Sequence, residues 1–340
     1  MIKKIEQSLT NEFRNKVILV TGGTGSIGLA LVKKLIEYKP KTIRILTNDE
    51  NSIYEMKKII KKNNLITYMF GDVREKDRID LAIRGVDIVF HTAAMKHIDI
   101  CEQNPFDAVK TNVIGTSNLL EAALIENISK FIFISTDKSA NPSTTLGASK
   151  LLAERLTLNA NSYRGKGKTI FSIVRFGNVI GSRGSVFQTF SHQIKNNDAI
   201  TITDGRMTRF IMSISDAVAL ILKVVRNARD KEIYILKMPS ISIERLASTM
   251  LDVYQKEKKV KTSSKLSISK TREHEKLNEI LITKNELSFC HDAGDMYKIT
   301  DERNGKIINY ENFNSDTAEK ISDINLKKLI SNLFKEQDEL

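Results

Sequence analysis

Tryptophan is absent from this chain, only 6% of its residues are aromatic, and 340 residues hold two cysteines and four prolines. With so few rings there is little material for the stacking platforms that single-stranded nucleic acids require. Cys101 and Cys290 are too few for a disulfide framework or a zinc site, and they suit a reducing cytoplasm. No apolar run approaches the ~18 residues of a membrane helix, so a span is not expected. The first residues, MIKKIEQSLTNEFRNK, have no apolar core behind their lysines and do not read as a secretory signal.

Charge, by contrast, is plentiful and uneven: 53 Lys and Arg face 41 Asp and Glu, a net +12. A solvated lysine-rich surface accounts for this more simply than a nucleic-acid site, and a small anionic substrate such as a nucleotide is a third reading. At 41% apolar and 28% charged residues the composition is globular. The length allows about two domains, or one large α/β unit with a lobe.

The first two thirds alternate short apolar runs with amphipathic stretches. Strands are predicted at Val17–Val20, Thr42–Leu46, Thr67–Phe70, Ile88–His91, Phe131–Ser135, Ile170–Phe176 and Ile233–Leu236. Most are continuously apolar, as parallel strands covered on both faces should be. Helices are predicted at Ile27–Tyr38, Ile53–Lys62, Lys76–Ile83, Pro105–Glu126, Ser149–Ser162 and Ser215–Arg229. The alternation means a doubly wound parallel α/β sheet of Rossmann type with right-handed crossovers. After Pro239 the pattern loosens: a helix at Ile241–Tyr254, a lysine-rich stretch Lys256–Lys276 and a short helix at Asn325–Leu333. This third reads as a lobe over the sheet edge rather than a second core, with a polar, loosely packed tail from Glu311 to Ser322.

The first strand runs into Thr21-Gly22-Gly23-Thr24-Gly25-Ser26-Ile27-Gly28 and then a helix. Glycines at 22, 25 and 28 permit a tight turn, close approach of backbone N–H groups to a pyrophosphate, and helix–strand packing. Asp49 lies about 20 residues past the last glycine, where a carboxylate accepts from a ribose 2′-hydroxyl and repels a 2′-phosphate. No Arg or Lys falls between Thr47 and Met56, so NAD is favoured over NADP; alternatively Asp49 only caps the next helix. Asp72 and Val73, after the third strand, suit the adenine, and Thr92–Ala94 are small enough for a cofactor to lie against the backbone.

Polar residues crowd two further strand ends: His91 to His97, continuing to Glu102, and Ser135-Thr136-Asp137-Lys138 followed by Asn141-Pro142 and Leu146-Gly147-Ala148-Ser149-Lys150. His97 reads equally well as a structural or a catalytic histidine. Together the words TGGTGSIG, HTAAMKHIDICEQNPFDAVKTNVIGT, ISTDKSANP, LGASK, VRFGNVIGSRGSV and ITDGRMTRF resemble the extended short-chain dehydrogenase/reductase superfamily. More narrowly, they resemble its nucleotide-sugar 4,6-dehydratases and epimerases of the polysaccharide-biosynthesis group. The motifs follow in order across Lys16–Phe210, and weaker matches (LKMPSISIERLA, EHEKLNEILIT) reach Thr283.

The resemblance implies a bound nicotinamide nucleotide, a UDP-linked N-acetylhexosamine substrate (most often UDP-N-acetylglucosamine) and a homo-oligomer. By position it implies that Lys150 bonds the nicotinamide ribose, that Asp137 and Lys138 form the dehydratase acid/base pair, and that Thr136 orients the sugar. Lys96, Asn178, Val186, Thr203, Arg272 and Glu275 match substrate-contacting positions. Gly181, Ser182 and Arg183 match a loop over the nicotinamide and diphosphate, and Arg209 a position beneath the uridine or diphosphate. The implied domains are a nucleotide-binding domain of residues 1–178 with 211–238, a substrate lobe of 179–210 and 239–310, and a tail of 311–340.

Two departures stand out. The superfamily's catalytic tyrosine is replaced by Leu146, which leaves the C4 proton to exit through Thr136 or a water beside a positively charged Lys150. Arg272-Glu273-His274-Glu275-Lys276 replaces an R-P-G-E-K loop. Partial desolvation lowers the Lys138 pKa and raises that of Asp137 while their attraction opposes both shifts. Lys138 is therefore expected as the C5 base and Asp137 as the C6 acid, with the reverse open. An epimerase and a catalytically silent NAD-binding scaffold are the rival readings.

Overall fold

The computed structural model describes residues 2–260, 263–269, 275–302 and 310–338. Its elements run α1 (Ile2–Phe13), β1 (Val17–Thr21), α2 (Ser26–Glu37), β2 (Thr42–Thr47), α3 (Glu50–Ile60), β3 (Ile66–Phe70), α4 (Lys76–Ile83), β4 (Ile88–His91), α5 (Ile98–Gln103), α6 (Pro105–Val109), α7 (Gly115–Ile125), β5 (Lys130–Thr136), α8 (Thr145–Asn159), β6 (Ile170–Phe176), β7 (Asn178–Val179), α9 (Val186–Lys195), β8 (Ile200–Ile202), β9 (Thr208–Met212), α10 (Ile214–Asn227), β10 (Glu232–Leu236), β11 (Ser240–Ser242), α11 (Ile243–Lys258), β12 (Leu266–Ile268), β13 (Cys290–Asp292), β14 (Met296–Ile299) and α12 (Asp323–Asp338).

Among the described residues nine strands form one sheet in the order β13-β14-β10-β6-β5-β4-β1-β2-β3. From β3 to β10 every pairing is parallel. All seven predicted strands lie in this parallel part. β1 is buried along its whole length, whereas β3, at the edge, is only half covered. The chain winds outward from β1 through β2 to β3, then crosses back to place β4 on the other side of β1. That reversal opens a crevice at the carboxyl ends of β1 and β4, where doubly wound sheets bind ligands.

The predicted helix Pro105–Glu126 is interrupted by one π-helical turn at Lys110–Ile114 between α6 and α7. Asn112, on that turn, is buried: its Oδ1 accepts from the Met95 N–H at 2.9 Å, and its Nδ2 donates to the Met95 carbonyl at 3.1 Å and to Ser149 Oγ at 3.0 Å. A wide turn that aims a polar side chain inward commonly marks a functional region.

The C-terminal third differs from the sequence reading. β14 pairs antiparallel with β10, and β13 with β14, so residues 290–299 extend the main sheet instead of joining a lobe. The Asp292–Asp295 turn, with Gly294 at φ 86°, closes this hairpin. The stretch expected to be loose is pinned, because Phe313, Ser315, Ala318 and Ile321 are buried and Phe313 stacks edge-on against Tyr297. A second apolar core does exist. It gathers Phe187, Phe190 and Ile194 of α9, Leu246 and Met250 of α11, and Leu326, Ile330 and Phe334 of α12.

Candidate active site

At the nucleotide end, Gly22 has φ 65°, and a Cβ there would lie 2.8 Å from the Ala93 backbone. A Cβ on Gly28 would lie 2.5 Å from the Gly22 carbonyl oxygen, so α2 can approach the turn only through a glycine. α2 begins after Gly25 with no side-chain cap, which leaves its first N–H groups free to meet an anion. Thr24 is buried and its hydroxyl donates to Thr47 Oγ1. Thr92 Oγ1 donates to the Thr21 carbonyl at 2.7 Å. Val73 packs where a Cβ on Gly115 would lie 2.6 Å from its Cγ2. These residues fit a bound dinucleotide: the cradle is backbone, closely packed, and offers free N–H donors to an anion.

Asp49 caps α3, accepting from the Ser52 N–H at 3.1 Å and from the Ser52 hydroxyl; those bonds hold its carboxyl below the usual range. Asp72 accepts from the Asn48 amide at 2.9 Å and from Arg74 at 2.7 Å. Burial would raise the Asp72 pKa, but these partners outweigh it and the net shift is downward. His91 is enclosed between Thr21 Oγ1 (2.8 Å) and Thr116 Oγ1 (2.9 Å), and burial pushes its pKa down to about 3. It is a neutral tie between β1, β4 and α7.

A strap formed by Gly181–Gly184 crosses over this turn. Its glycines at 181 and 184 have φ 81° and 68°. The Arg183 N–H donates to Ser26 Oγ at 2.9 Å, the Arg183 guanidinium donates to the Thr24 carbonyl, and Lys96 donates to the Arg183 carbonyl. Burial lowers the Lys96 pKa, with the Arg183 charge adding to the effect.

At the other end, β5 delivers Thr136 to a single 3-10 turn, Asp137–Ser139. Asp137 is fully buried; its Oδ1 accepts from Thr136 Oγ1 at 2.9 Å and from Lys138 Nζ at 3.0 Å. Lys138 Nζ also lies 3.4 Å from Glu279 Oε1. Burial alone would lower the Lys138 pKa, but Asp137 and Glu279 outweigh it, so the net shift is upward. Two carboxylates, where the sequence offered one, favour the ammonium, which weighs against the expected C5 base at Lys138 and toward the reverse assignment that stood open beside it. Lys276 lies 4.0 Å from Glu279 and donates to the Asn141 carbonyl, with its pKa lowered by burial.

Lys150 is buried, donates to the Ile134 carbonyl at 2.6 Å and rests 4.1 Å from the Phe133 ring centroid. Burial pushes its pKa down to about 7, which works against the positive charge expected there. Leu146 is buried with Cys101, Ala108, Met95 and Ile98, in a small apolar cluster.

Arg209 is spent on structure. Its Nη1 donates to the Thr208 and Leu277 carbonyls at 2.8 and 3.0 Å, and its Nη2 lies 3.6 Å from Glu275 Oε1. Thr203 donates to Met207 Sδ, and Val186 opens α9 against the second core. Arg272 lies outside the described residues. Asn178 follows Gly177, whose absent side chain admits Asp137 Oδ2: a Cβ there would lie 3.3 Å away. Among the described residues, Asp137 Oδ2, Asn178 Oδ1, Glu275 Oε2 and Glu279 Oε2 are buried acceptors with no hydrogen-bond partner. Such orphans are rare in interiors, and these four gather around the Asp137 turn and the Arg209 segment beside it.

Sequence reasoning missed Glu279, Lys276 and the buttress beneath the turn. The Arg175 guanidinium is wholly buried, donating to both oxygens of Glu154 (3.0 and 2.6 Å), both of Glu286 (2.9 and 3.1 Å) and the Leu281 carbonyl (3.0 Å). Ser139 Oγ sits between Glu154 Oε1 (2.7 Å) and the Thr136 carbonyl (2.6 Å), which links this triad to the turn. Glu279 stands in the motif EHEKLNEILIT, four residues after Glu275.

Known proteins resemble the chain over nearly its full length. A protein of Methanocaldococcus jannaschii named an uncharacterized membrane protein is 46% identical over 333 residues, covering 96% of this chain and 98% of the relative. Here, among the described residues, no helix is long and apolar enough to cross a membrane. A Rickettsia bellii protein named UDP-glucose 4-epimerase is 36% identical over 346 residues, covering 96% and 99%. The X-ray structure of Pen from Bacillus thuringiensis superposes with a TM-score of 0.89 at 37% identity, covering 95% of this chain and 98% of that one. With the family's model matching residues 18–336, the chain belongs to the polysaccharide biosynthesis protein family, within the extended short-chain dehydrogenase/reductases.

Proposed function

We propose that this protein is an NAD-dependent nucleotide-sugar 4,6-dehydratase that converts UDP-N-acetylglucosamine to a UDP-4-keto-6-deoxy-N-acetylhexosamine for surface glycan synthesis. The observation that carries this reading is the Asp137–Lys138 ion pair, sunk at the end of β5 among acceptors that lack donors. Sugar hydroxyls are donors, and an adjacent base and acid are what elimination of water across C5 and C6 needs. Simple inversion at C4, the activity in the names of the Rickettsia relatives, needs no acid at C6.

When bound, NAD supplies a hydride acceptor for C4 and a donor for C6. The backbone of Gly22, Thr24, Gly25, Ser26, Ile27 and Gly28 would hold its pyrophosphate, Asp49, Asp72 and Val73 its adenosine, and Thr92 and Lys150 its nicotinamide end. The other steps are proton transfers by this chain. The O4 proton leaves through Thr136 or a water toward Lys150, whose lowered pKa leaves neutral amine available at neutral pH. Asp137 Oδ2 takes the C5 proton and Lys138 gives one to the C6 hydroxyl, which departs as water. Asp137 then returns its proton to C5 as C6 is reduced, and solvent carries the proton on Lys150 back to Lys138. Each placed proton transfer is worth about 10²–10⁴ in rate.

Incubation with UDP-N-acetylglucosamine should give a product lighter by one water, read by mass spectrometry and proton NMR. A product of unchanged mass inverted at C4 would replace this reading by the epimerase. In deuterated water, Lys138→Met should still exchange the C5 hydrogen without releasing water, and Asp137→Asn should do neither. The opposite pattern would return the base to Lys138.

A further inference from the structure

Glu279 is 3% exposed and rigidly seated: its N–H donates to Ser315 Oγ at 2.9 Å, and its carbonyl accepts from the Ser315 N–H at 3.0 Å. Ser315 Oγ in turn lies 2.7 Å from Thr208 Oγ1. The backbone that carries this carboxylate is thus tied to two segments distant in sequence, with Oε1 3.4 Å from Lys138 Nζ and Oε2 4.0 Å from Lys276 Nζ, Oε2 accepting no hydrogen bond. Lys138 is faced by Asp137 on its own turn, by Glu279 and Lys276 on the segment after the lysine-rich stretch, and by Arg209 on β9, itself paired with Glu275. The two cations oppose a charge on Lys138, and Asp137 must give up its negative charge during the proposed cycle. Glu279 is the carboxylate beside Lys138 that has no proton to carry in that cycle.

We propose that Glu279 is a positioning residue that holds Lys138 as a proton donor throughout the cycle, including the moment when Asp137 carries the C5 proton. This rests on the dehydratase reading for its catalytic consequence, though not for the Glu279–Lys138 coupling itself. A neighbouring opposite charge shifts a pKa by about 1–3 units, so removing it should move Lys138 down by about one unit or more.

The test uses the full-length, NAD-containing protein and Glu279→Gln. Trace acetic anhydride labelling of Lys138 across pH, read by peptide mass spectrometry against an exposed lysine, should show its midpoint lowered by about one unit, roughly tenfold more labelling at a given pH below it. The alkaline limb of kcat should move down by a similar amount with KM little changed, and Glu279→Asp should recover part of that shift. An unmoved labelling midpoint would overturn the coupling whether or not the protein turns over any UDP-hexosamine. A lowered midpoint with an unmoved alkaline limb in an active enzyme would overturn the catalytic role. If Glu279→Gln does not fold, the same change is made beside Lys138→Met. A protein that folds there supports the coupling, and one that still fails overturns it.

Discussion

Lys150 offers a test in which stability and function should move in opposite directions. Its ammonium has one carbonyl and one ring face for company, and burial lowers its pKa from 10.5 to about 7. Between those values the unfolded chain binds a proton that the folded chain does not, so stability rises with pH across this window. Below pH 7 both states carry the proton and the full penalty remains. Each pH unit inside the window is worth about 1.4 kcal/mol, so from pH 7 to 9 the gain approaches about 2–3 kcal/mol. Lys150→Met removes the titrating group while keeping an unbranched chain against Phe133. Urea unfolding of cofactor-stripped protein at pH 7 and 9 should therefore show a rise in the parent that is missing in the variant. The variant should be the more stable of the two at pH 7, yet lose at least about 10²-fold in 4-keto sugar formation. Parallel pH dependences, agreeing within about 0.5 kcal/mol, would show that the amine stays charged in the fold and would refute the reasoning.

Gly28→Ala drives a methyl into the Gly22 carbonyl and the Gly23 backbone, so the purified variant should lose bound NAD, measured by absorbance of the acid-released nucleotide. Arg175→Met strands Glu154 and Glu286 beside each other and should cost about 3–5 kcal/mol at pH 7.5. Glu286 sits below its ordinary pKa because Arg175 outweighs the effect of burial. Without Arg175, burial should leave the Glu286 carboxyl reluctant to ionise, so urea titrations should show the loss shrinking toward pH 5; a constant loss would contradict this. Leu146→Tyr enlarges a side chain already enclosed by Cys101, Ala108, Met95 and Ile98. It should destabilise by about 1–3 kcal/mol without raising kcat, and a faster enzyme would show that the pocket opens toward the sugar.

What the sequence revealed and what it hid have physical causes. The parallel strands were legible because burial on both faces leaves a continuous apolar signature, and the glycine turn because its spacing answers to sterics close in sequence. β13 and β14 escaped because each spans three or four residues and His291, Asp292 and Lys298 dilute their pattern. Phe313 and Ile321 escaped because isolated apolar residues in a polar stretch reveal nothing of the core that receives them. At the site, Asp137 and Lys138 stood out as neighbours. The sign of the Lys138 shift did not, because it depends on Glu279, 141 positions away in the chain. The Arg175 triad hid for the same reason: each member alone reads as an ordinary charged residue.

The second core draws on residues 180–211, 241–253 and 321–334, whereas Leu281, Ile282, Met296 and Phe313 between the last two belong to the main one. The polypeptide therefore shuttles back and forth between the two bodies, and neither can be excised as a contiguous fragment. Exchanging the smaller body with a relative's would require replacing three separate stretches at once. Because its pieces must find one another across such distances, refolding should be slow and should proceed with that body closing last.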